Sequence, residues 1–396
     1  MRILYLTNGF PYPLTSGYLR HYFLIKELAQ RHAITLLSIV SAAFLPEHAT
    51  AMAPFAERVM TFAAANRGGS FRRKALRRMR TFLRGEASDA AVQQMGKAVE
   101  QLTSEEHFDA VLFSGKDTYP ALAGLRGVPI VADMCDATSV KLRGSMRYVS
   151  RLRLPLVWLD YRQVRRVEDQ LMRRAAHVVF ASPRDREALV GADSDRASVI
   201  PNGVDLDFWK RSSRERGVDT LVFSGAMSYP PNADAALYLI DEILPLIRRS
   251  VPRVQALIVG RDPTPHLIRA GQQSGVTVTG FVDDVRPYLE QATIFAAPLR
   301  FGAGIQNKLL EAMAMEVPVV ASPLAADGLR TENGERPPAL VASDRQQFAE
   351  MIVQQLKWRA NHSMPDAQAR HYVQHHFVWG RSGEKLEHVI RAAVKR

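Results

Sequence analysis

The feature that most constrains this chain is an alternation of short apolar runs with longer segments of helical spacing. The runs are rich in β-branched residues, which is typical of buried strands. Between them, apolar residues recur every three or four positions, as Leu24, Ile25 and Leu28 do. Strands that alternate with helices form a parallel sheet covered on both faces. In the first half of the chain we expect strands at 3–6, 33–40, 110–114, 128–133 and 177–181.

The same alternation begins again after a polar segment, 205–219, which is the expected interdomain linker. A helix is expected at 233–249, and strands are expected at 220–224, 254–259, 276–280, 294–298 and 317–321. The sequence therefore predicts an α/β protein of two doubly wound, Rossmann-like domains, 1–205 and 206–375. An amphipathic helix at 376–396 follows and is expected to return to the first domain. Such domains place a binding site in the cleft between the carboxyl ends of their strands.

The net charge and the composition limit the kinds of partner that this chain is expected to bind. The 396 residues include 52 Lys and Arg against 40 Asp and Glu, a net charge of +12. That excess favours an acidic partner: nucleotide phosphates, an anionic membrane face or nucleic acid. The single cysteine, Cys135, excludes a disulfide framework. We expect neither a signal peptide nor a membrane-spanning helix, and a cytoplasmic location.

The segment 298–315 contains the pattern most informative about chemistry. After an expected strand come Gly302, Ala303 and Gly304, and a helix is expected to begin near Ile305. Glycines let a backbone approach a phosphate, and the start of a helix favours negative charge. On that helix, Lys308 could add a positive charge to a diphosphate, and Glu311 on the same face could accept hydrogen bonds from a ribose diol. The alternative is an ordinary strand–turn–helix unit with a solvated Lys–Glu pair. A dinucleotide fingerprint is poorly matched, because Asn307 stands where the third glycine would be.

This segment, with the Pro-Val-Val-Ala-Ser that follows, resembles the donor-site signature of retaining GT-B glycosyltransferases of family 4. The resemblance extends in order over nearly the whole chain. It is carried by the segments 11–17, 199–205, 223–232, 258–261 and 278–284. The resemblance implies the GT-B fold and transfer of a sugar from a nucleotide sugar, with retention at the anomeric carbon.

The resemblance also implies roles for single residues. Glu311 would hold the nucleotide ribose, and Lys308 with the backbone N–H groups of 302–305 would stabilise the leaving diphosphate. Phe281 and Val282 would lie beside the base. Two departures from the family pattern stand out: Ala303 replaces a glutamate that contacts the donor sugar, and no basic residue follows Gly225. The donor side predicted in this way comprises Gly225, Arg261, Phe281, Val282, Arg300, Gly302, Ala303, Gly304, Ile305, Lys308 and Glu311.

The first domain is expected to hold the acceptor. Asp133 and Asp136 follow an expected strand, and Asp136 is a candidate catalytic group beside Lys308 and Glu311. A loop aspartate that caps a helix is the alternative for both. Ser16, Gly17 and Arg20 lie at the first strand–helix junction and complete the predicted acceptor side.

A basic stretch at 67–84 holds eight Lys or Arg and no acidic residue, with apolar residues at helical spacing. It predicts an amphipathic helix on an anionic membrane, with Arg72, Arg73, Arg77 and Arg78 on its cationic face. A solvated arginine-rich face is the alternative. The run 143–153 is also basic. Nucleic acid is not an expected partner, because no recognition motif accompanies the charge.

The sequence therefore favours a transferase peripheral to the inner face of the cell membrane, acting on a glycan, lipid-linked or small-molecule acceptor. We expect no essential metal and no cofactor other than the nucleotide sugar as co-substrate. The alternatives are a soluble transferase for small natural products, an epimerase or hydrolase on the same fold, and a catalytically silent binding subunit.

Overall fold

The computed structural model describes residues 1–14, 18–64, 89–191, 194–212, 219–359 and 366–395. Its contacts divide the chain into two compact units. Unit 1 comprises Met1–Pro201 and Trp379–Arg396, and unit 2 comprises Asn202–Val378. Unit 1 is therefore made from two separate stretches of the chain.

Within the described residues of unit 1, seven parallel strands form one sheet in the order β3-β2-β1-β4-β5-β6-β7. β1 pairs along its length with both β2 and β4, which places it inside the sheet. The strands are β1 (Arg2–Thr7), β2 (Ala33–Val40), β3 (Arg58–Ala63), β4 (Ala110–Ser114), β5 (Ile130–Cys135), β6 (His177–Phe180) and β7 (Ala197–Val199).

Both faces of this sheet are covered, as the sequence predicts. Ile3 and Tyr5 of β1 belong to one buried cluster, whereas Leu4 and Leu6 belong to another. Since successive side chains of a strand point to opposite faces, each face has a core of its own. The helices of the first stretch are α1 (Leu19–Ala29), α2 (Pro46–Met52), α3 (Ala90–Glu105), α4 (Thr138–Ser145), α5 (Leu154–Arg174) and α6 (Pro183–Val190), with a 3₁₀ segment at Lys116–Leu122.

Unit 2 has six described parallel strands in the order β10-β9-β8-β11-β12-β13. They are β8 (Thr220–Ser224), β9 (Gln255–Val259), β10 (Val276–Val278), β11 (Ile294–Ala297), β12 (Val319–Ala321) and β13 (Leu340–Val341). The helices are α7 (Pro230–Tyr238), α8 (Leu244–Arg248), α9 (Pro265–Ala270), α10 (Arg286–Gln291), α11 (Asn307–Ala314), α12 (Pro323–Asp327), α13 (Arg345–Arg359) and α14 (Ala367–His376).

Two predicted helices of unit 2 are present with slightly different starts. The helix expected at 233–249 begins earlier, at Pro230, because two prolines suit the first turn of a helix. A π-helical turn, Leu239–Ile243, then joins α7 to α8. The helix expected near Ile305 begins instead at Asn307.

The segment 205–219, which the sequence predicts to be an interdomain linker, begins inside unit 2. Arg211 donates to the carbonyl of Glu290 at 2.7 Å, and Ser212 donates to the Glu290 carboxylate at the same distance. Residues 211–212 are thus fastened to α10. The last helix, α15 (Trp379–Val394), packs against α1, where the rings of Trp379 and Phe23 stack with centroids 4.7 Å apart.

Candidate functional site

Three glycines bring the ends of neighbouring strands of unit 2 into close backbone contact. Gly225 follows β8, and its N–H donates to the carbonyl of Val259 at 3.0 Å. A Cβ at Gly260, after β9, would lie 1.8 Å from the Gly225 carbonyl oxygen. Gly260 also bridges to Gly280, after β10. All three have positive φ, so a side chain would be strained or would clash. The chain therefore presents bare backbone at the carboxyl ends of these strands, which we call the glycine-lined edge of unit 2.

The loop after β11 lies at the same edge, because the strands of a parallel sheet end together. Gly302 and Gly304 have φ of 153° and 71°, which favour glycine, and Ala303 between them is buried. Gln306 precedes α11, and its side chain accepts no capping hydrogen bond from the helix. The N–H of Leu309 donates to the Gln306 carbonyl at 2.9 Å, so the N–H groups before it, at the start of the helix, are the ones placed to bind an anion.

Lys308, on the first turn of α11, reaches back across the sheet edge to β8 and α7. Its ammonium donates to Oδ1 of Asn232 and lies 5.1 Å from the centre of the Phe223 ring. A Cβ at Gly225 would lie 3.3 Å from the Cε of this lysine. The side chain is half-buried, and burial lowers the pKa of Lys308 to about 8.

Glu311 lies one turn further along α11. Burial raises the pKa of Glu311 to about 7, although the nearby Lys308 charge opposes that shift. Neither side chain is at the open surface, so the pair differs from the solvated Lys–Glu pair that the sequence left open. A half-buried ammonium beside a glycine loop and a helix start can hold a phosphate, while the carboxyl group can bind hydroxyls.

The other donor-side predictions lie around this edge but differ in their partners. Arg300 forms a bidentate pair with Asp234, at 2.9 and 2.5 Å, and covers the Tyr238 ring. Arg261 follows Gly260 and is half-exposed beside Asp262. Phe281 is 61% exposed, which leaves a ring face open for stacking, whereas Val282 packs on the core.

Asn232 is a site residue that sequence reasoning missed. It is buried at the start of α7, where Oδ1 accepts from Lys308 and Nδ2 donates to the Ala226 carbonyl at 3.0 Å. The amide therefore ties the lysine to the loop that follows β8. The sequence feature that could have identified Asn232 is its position directly after two prolines, in the first turn of a helix.

In unit 1, Arg20 and Asp133 form a buried pair. The Arg20 guanidinium, on α1, donates to both Asp133 oxygens at 2.8 and 3.3 Å. Arg20 holds the pKa of the Asp133 carboxyl below its usual value despite burial. Next to it, Cys135 is a packed thiol whose pKa burial raises to about 12. The structure thus brings two predicted acceptor-side residues together as an ion pair.

Asp136 lies in a separate network. Its carboxylate accepts from Lys141 at 2.9 Å and from the Thr138 hydroxyl, and Lys116 lies 3.4 Å away. Lys116 and Lys141 hold the pKa of Asp136 well below its usual value although burial opposes them. A carboxylate held in this way is a poor proton acceptor.

Some predicted residues lie outside the described part of the chain. These are Ser16 and Gly17 of the predicted acceptor side, and Arg72, Arg73, Arg77 and Arg78 of the predicted membrane face. Among the described residues, no helix is both long and apolar enough to cross a bilayer.

Two family models match the chain in succession. Residues 22–208 match Glycosyltransferase Family 4, and residues 218–357 match Glycosyl transferases group 1. The chain carries two glycosyltransferase domains. The second of these domains includes the glycine-lined edge with Lys308 and Glu311.

The glycosyltransferase domains also have relatives that are similar in sequence. A phosphatidyl-myo-inositol mannosyltransferase of Mycobacterium tuberculosis is 32% identical over 180 residues, which are 43% of this chain and 46% of the relative. The chain thus spans about half the length of the curated relatives it matches.

Solved structures support the GT-B fold. Anabaena HepE, in complex with UDP and glucose, is similar over 98% of this chain and 99% of its own, with a TM-score of 0.68 and 16% identity. Sucrose-phosphate synthase from Thermosynechococcus elongatus is similar over 99% and 98%, with a TM-score of 0.71 and 15% identity. At these identities the likeness establishes the fold.

Proposed function

We propose that the protein is a retaining glycosyltransferase that moves a sugar from a nucleotide sugar to a hydroxyl acceptor. The observation that carries the proposal is the glycine-lined edge of unit 2. There Lys308 and Glu311 are half-buried at the start of α11, within a glycosyltransferase group 1 domain. Bare backbone, a free helix start and one ammonium suit a diphosphate, and the carboxyl group suits the ribose.

The transfer reaction needs few further groups from the protein. The bond between the anomeric carbon and the diphosphate breaks, and the acceptor oxygen bonds to the same face of that carbon. The acceptor proton passes to the departing diphosphate. Lys308 and the N–H groups of 302–307 stabilise the charge that develops on the leaving group. Phe281 stacks beside the base, with Val282 behind it. No metal enters this scheme.

The acceptor is assigned to unit 1. We propose a lipid-linked or polysaccharide acceptor at the cytoplasmic face of the membrane. The lipid named in the mycobacterial relative and the basic stretch at 67–84 support this choice. Since Asp133 and Asp136 are already held by cations, they order the strand ends near the acceptor, and the diphosphate takes the proton.

One other function has an observation in its favour. Ala303 stands where the family pattern places a glutamate against the donor sugar. A catalytically silent subunit would keep nucleotide binding and lose turnover. A soluble transferase for small molecules would differ from the proposed function only in its acceptor.

Titration with UDP, GDP, ADP and dTDP, followed by thermal unfolding, tests the donor site. UDP comes first because the structure of the HepE neighbour contains it. A ligand at 100 times its Kd stabilises by about 2.7 kcal/mol, so we expect one nucleotide to raise the Tm. Lys308→Met and Glu311→Gln should abolish the shift.

Glu242→Gln is the matched control, because it breaks an ion pair with Arg345 on the exposed surface of the same unit. It should keep the full shift. A folded protein whose Tm responds to none of the four nucleotides would overturn the proposal. A shift without sugar release from UDP-glucose or any other donor would favour the silent subunit.

A further inference from the structure

The tip formed by α4, α5 and the turn between them has apolar side chains that the described residues of unit 1 leave exposed. We define the α4–α5 tip as residues 140–162. Leu152, in the turn, is 90% exposed, and Trp158, on α5, is 45% exposed. Leu154 lies one helical turn before Trp158 and is also exposed. A folded chain gains nothing by holding a leucine almost wholly in water, so such a patch indicates a contact surface.

Arginines surround these apolar side chains. The α4–α5 tip contains five arginines, one lysine and one acidic residue, Asp160. The arginines 143, 147, 151, 153 and 162 are exposed. The Arg162 guanidinium lies 5.3 Å from the centre of the Trp158 ring, so the ring and the charge face outward together.

We propose that the α4–α5 tip docks on an anionic lipid bilayer. Leu152 and Trp158 enter the boundary between headgroups and acyl chains, and the arginines bind lipid phosphates. Arginine stems can lie along apolar surface while their heads stay at the phosphates, and tryptophan favours this boundary. The mixture of protruding aliphatic and cationic groups is the one that an anionic interface selects.

The observations favour lipid over other acidic partners. RNA or DNA would use the arginines but would leave Leu152 in water. An acidic protein surface would likewise meet the arginines with carboxylates, which offer no apolar contact to Leu152, although this side chain is 90% exposed. The proposal rests on the proposed function for the presence of a membrane at the acceptor side, but the binding it describes needs no sugar transfer.

Flotation with vesicles of phosphatidylcholine and phosphatidylglycerol tests the charge. Arg143→Gln, Arg147→Gln and Arg151→Gln together should weaken binding by about fivefold for each arginine removed. The matched control removes three exposed arginines of unit 2, by Arg249→Gln, Arg253→Gln and Arg269→Gln. It has the same net charge and should bind as the unchanged protein does.

Flotation also tests the apolar contact. Leu152→Ser should weaken binding by about tenfold. Ile268→Ser is its control, since Ile268 is 51% exposed on unit 2. Equal loss in both serine variants, or in both arginine triplets, would overturn the proposal, because binding would then depend on overall charge or stability.

Quenching by brominated lipid locates the contact. Trp158 and Trp358 are both 45% exposed, and each has an arginine 5.3 Å from its ring centre. We expect Trp158→Phe to remove the quenching and Trp358→Phe to keep it. Quenching that survives Trp158→Phe would overturn the proposal, as would binding to an RNA oligonucleotide without binding to vesicles.

The thermal response to UDP separates this inference from the proposed function. All tip variants should keep any response of the unchanged protein. Vesicle binding without a thermal response to any nucleotide would support the membrane-docking surface and contradict the proposed transferase function. A thermal response to a nucleotide without vesicle binding would support the proposed function and contradict the docking surface.

Discussion

At the scale of single residues, Lys308 and Glu311 titrate toward each other. Burial raises the pKa of Glu311 to about 7 and lowers the pKa of Lys308 to about 8. Burial therefore disfavours the charged form of each group, and the opposite charge of its neighbour partly offsets that cost. Lowering the pH protonates the carboxyl group, and raising it removes a proton from the ammonium.

This arrangement predicts how stability depends on pH. Because the pKa of Glu311 in the folded protein lies above its usual value of 4.5, the folded state binds more protons than the unfolded state between about pH 4.5 and 7. The contribution of Glu311 to stability is full below that range and is lost as the pH rises through about 7. Urea unfolding at several pH values should show this loss in the unchanged protein and not in Glu311→Gln. A parallel dependence in both proteins would contradict the burial of this carboxyl group.

A second prediction concerns Asn232, which accepts a hydrogen bond from the Lys308 ammonium. Asn232→Ala removes that acceptor and the tie to the Ala226 carbonyl, so the ammonium loses its fixed position. A hydrogen bond to a charged group contributes about 1.5–3 kcal/mol, which corresponds to a ten- to hundredfold weaker Kd for UDP. Isothermal titration calorimetry measures this change in the Kd for UDP. Asn333→Ala, at an exposed asparagine of the same unit, should leave the Kd unchanged.

These residues also mark how far sequence reasoning extends into the site. Lys308 and Glu311 are three positions apart on one helix, so their shared face follows from helical geometry. Asn232 is 76 positions from Lys308. Their contact depends on which strands are neighbours in the sheet. Likewise, no local pattern showed that Arg20 is the partner of Asp133, which lies 113 positions away.

At the scale of elements, α15 contains two glycines in opposite surroundings. A Cβ at Gly383 would lie 2.4 Å from the Glu27 Cβ of α1, whereas a Cβ at Gly380 would meet nothing within 4 Å. We therefore predict that Gly380→Ala, in the first turn of α15, stabilises the protein by less than about 1 kcal/mol, which is the advantage of alanine over glycine in a helix interior. Gly383→Ala should instead cost about 1–3 kcal/mol, because the helices must move apart.

Chemical denaturation of the two alanine variants measures the difference. Each variant serves as the control for the other, since both make the same substitution on one helix. Equal gains in stability at both positions would mean that α15 does not pack this closely on α1.

Strand prediction succeeded inside the sheets and at one edge strand, β10, and it failed at the other three edges. β2, β4 and β8 have the predicted bounds, and each lies between two neighbours. The strands that the sequence did not reveal are β3, β7 and β13, and each is at an edge. An edge strand buries fewer side chains and can be very short, as β13 is with two residues. Its sequence therefore lacks the apolar run that identifies an interior strand.

At the scale of the whole molecule, the proposed donor site is built from one unit. Asn232 and Phe223, the described contacts of the Lys308 ammonium cited above, both belong to unit 2. We predict that UDP slows hydrogen exchange at 225–232 and 302–311 and leaves 3–7 and 33–40 unchanged. Mass spectrometry of peptides resolves these segments. Protection confined to the strands of unit 1 would place the nucleotide in the wrong unit and contradict the donor site described above.

Unit 1 contains a helix that is made long after the rest of it. The ribosome must synthesise the whole of unit 2, residues 202–378, before it reaches Trp379. At about 5–20 residues per second this interval is on the order of ten to forty seconds. Throughout it, the nascent α1 lacks the ring that stacks on Phe23. Unit 2 comes from one continuous stretch and can fold first, so the domain begun earlier is the one completed later.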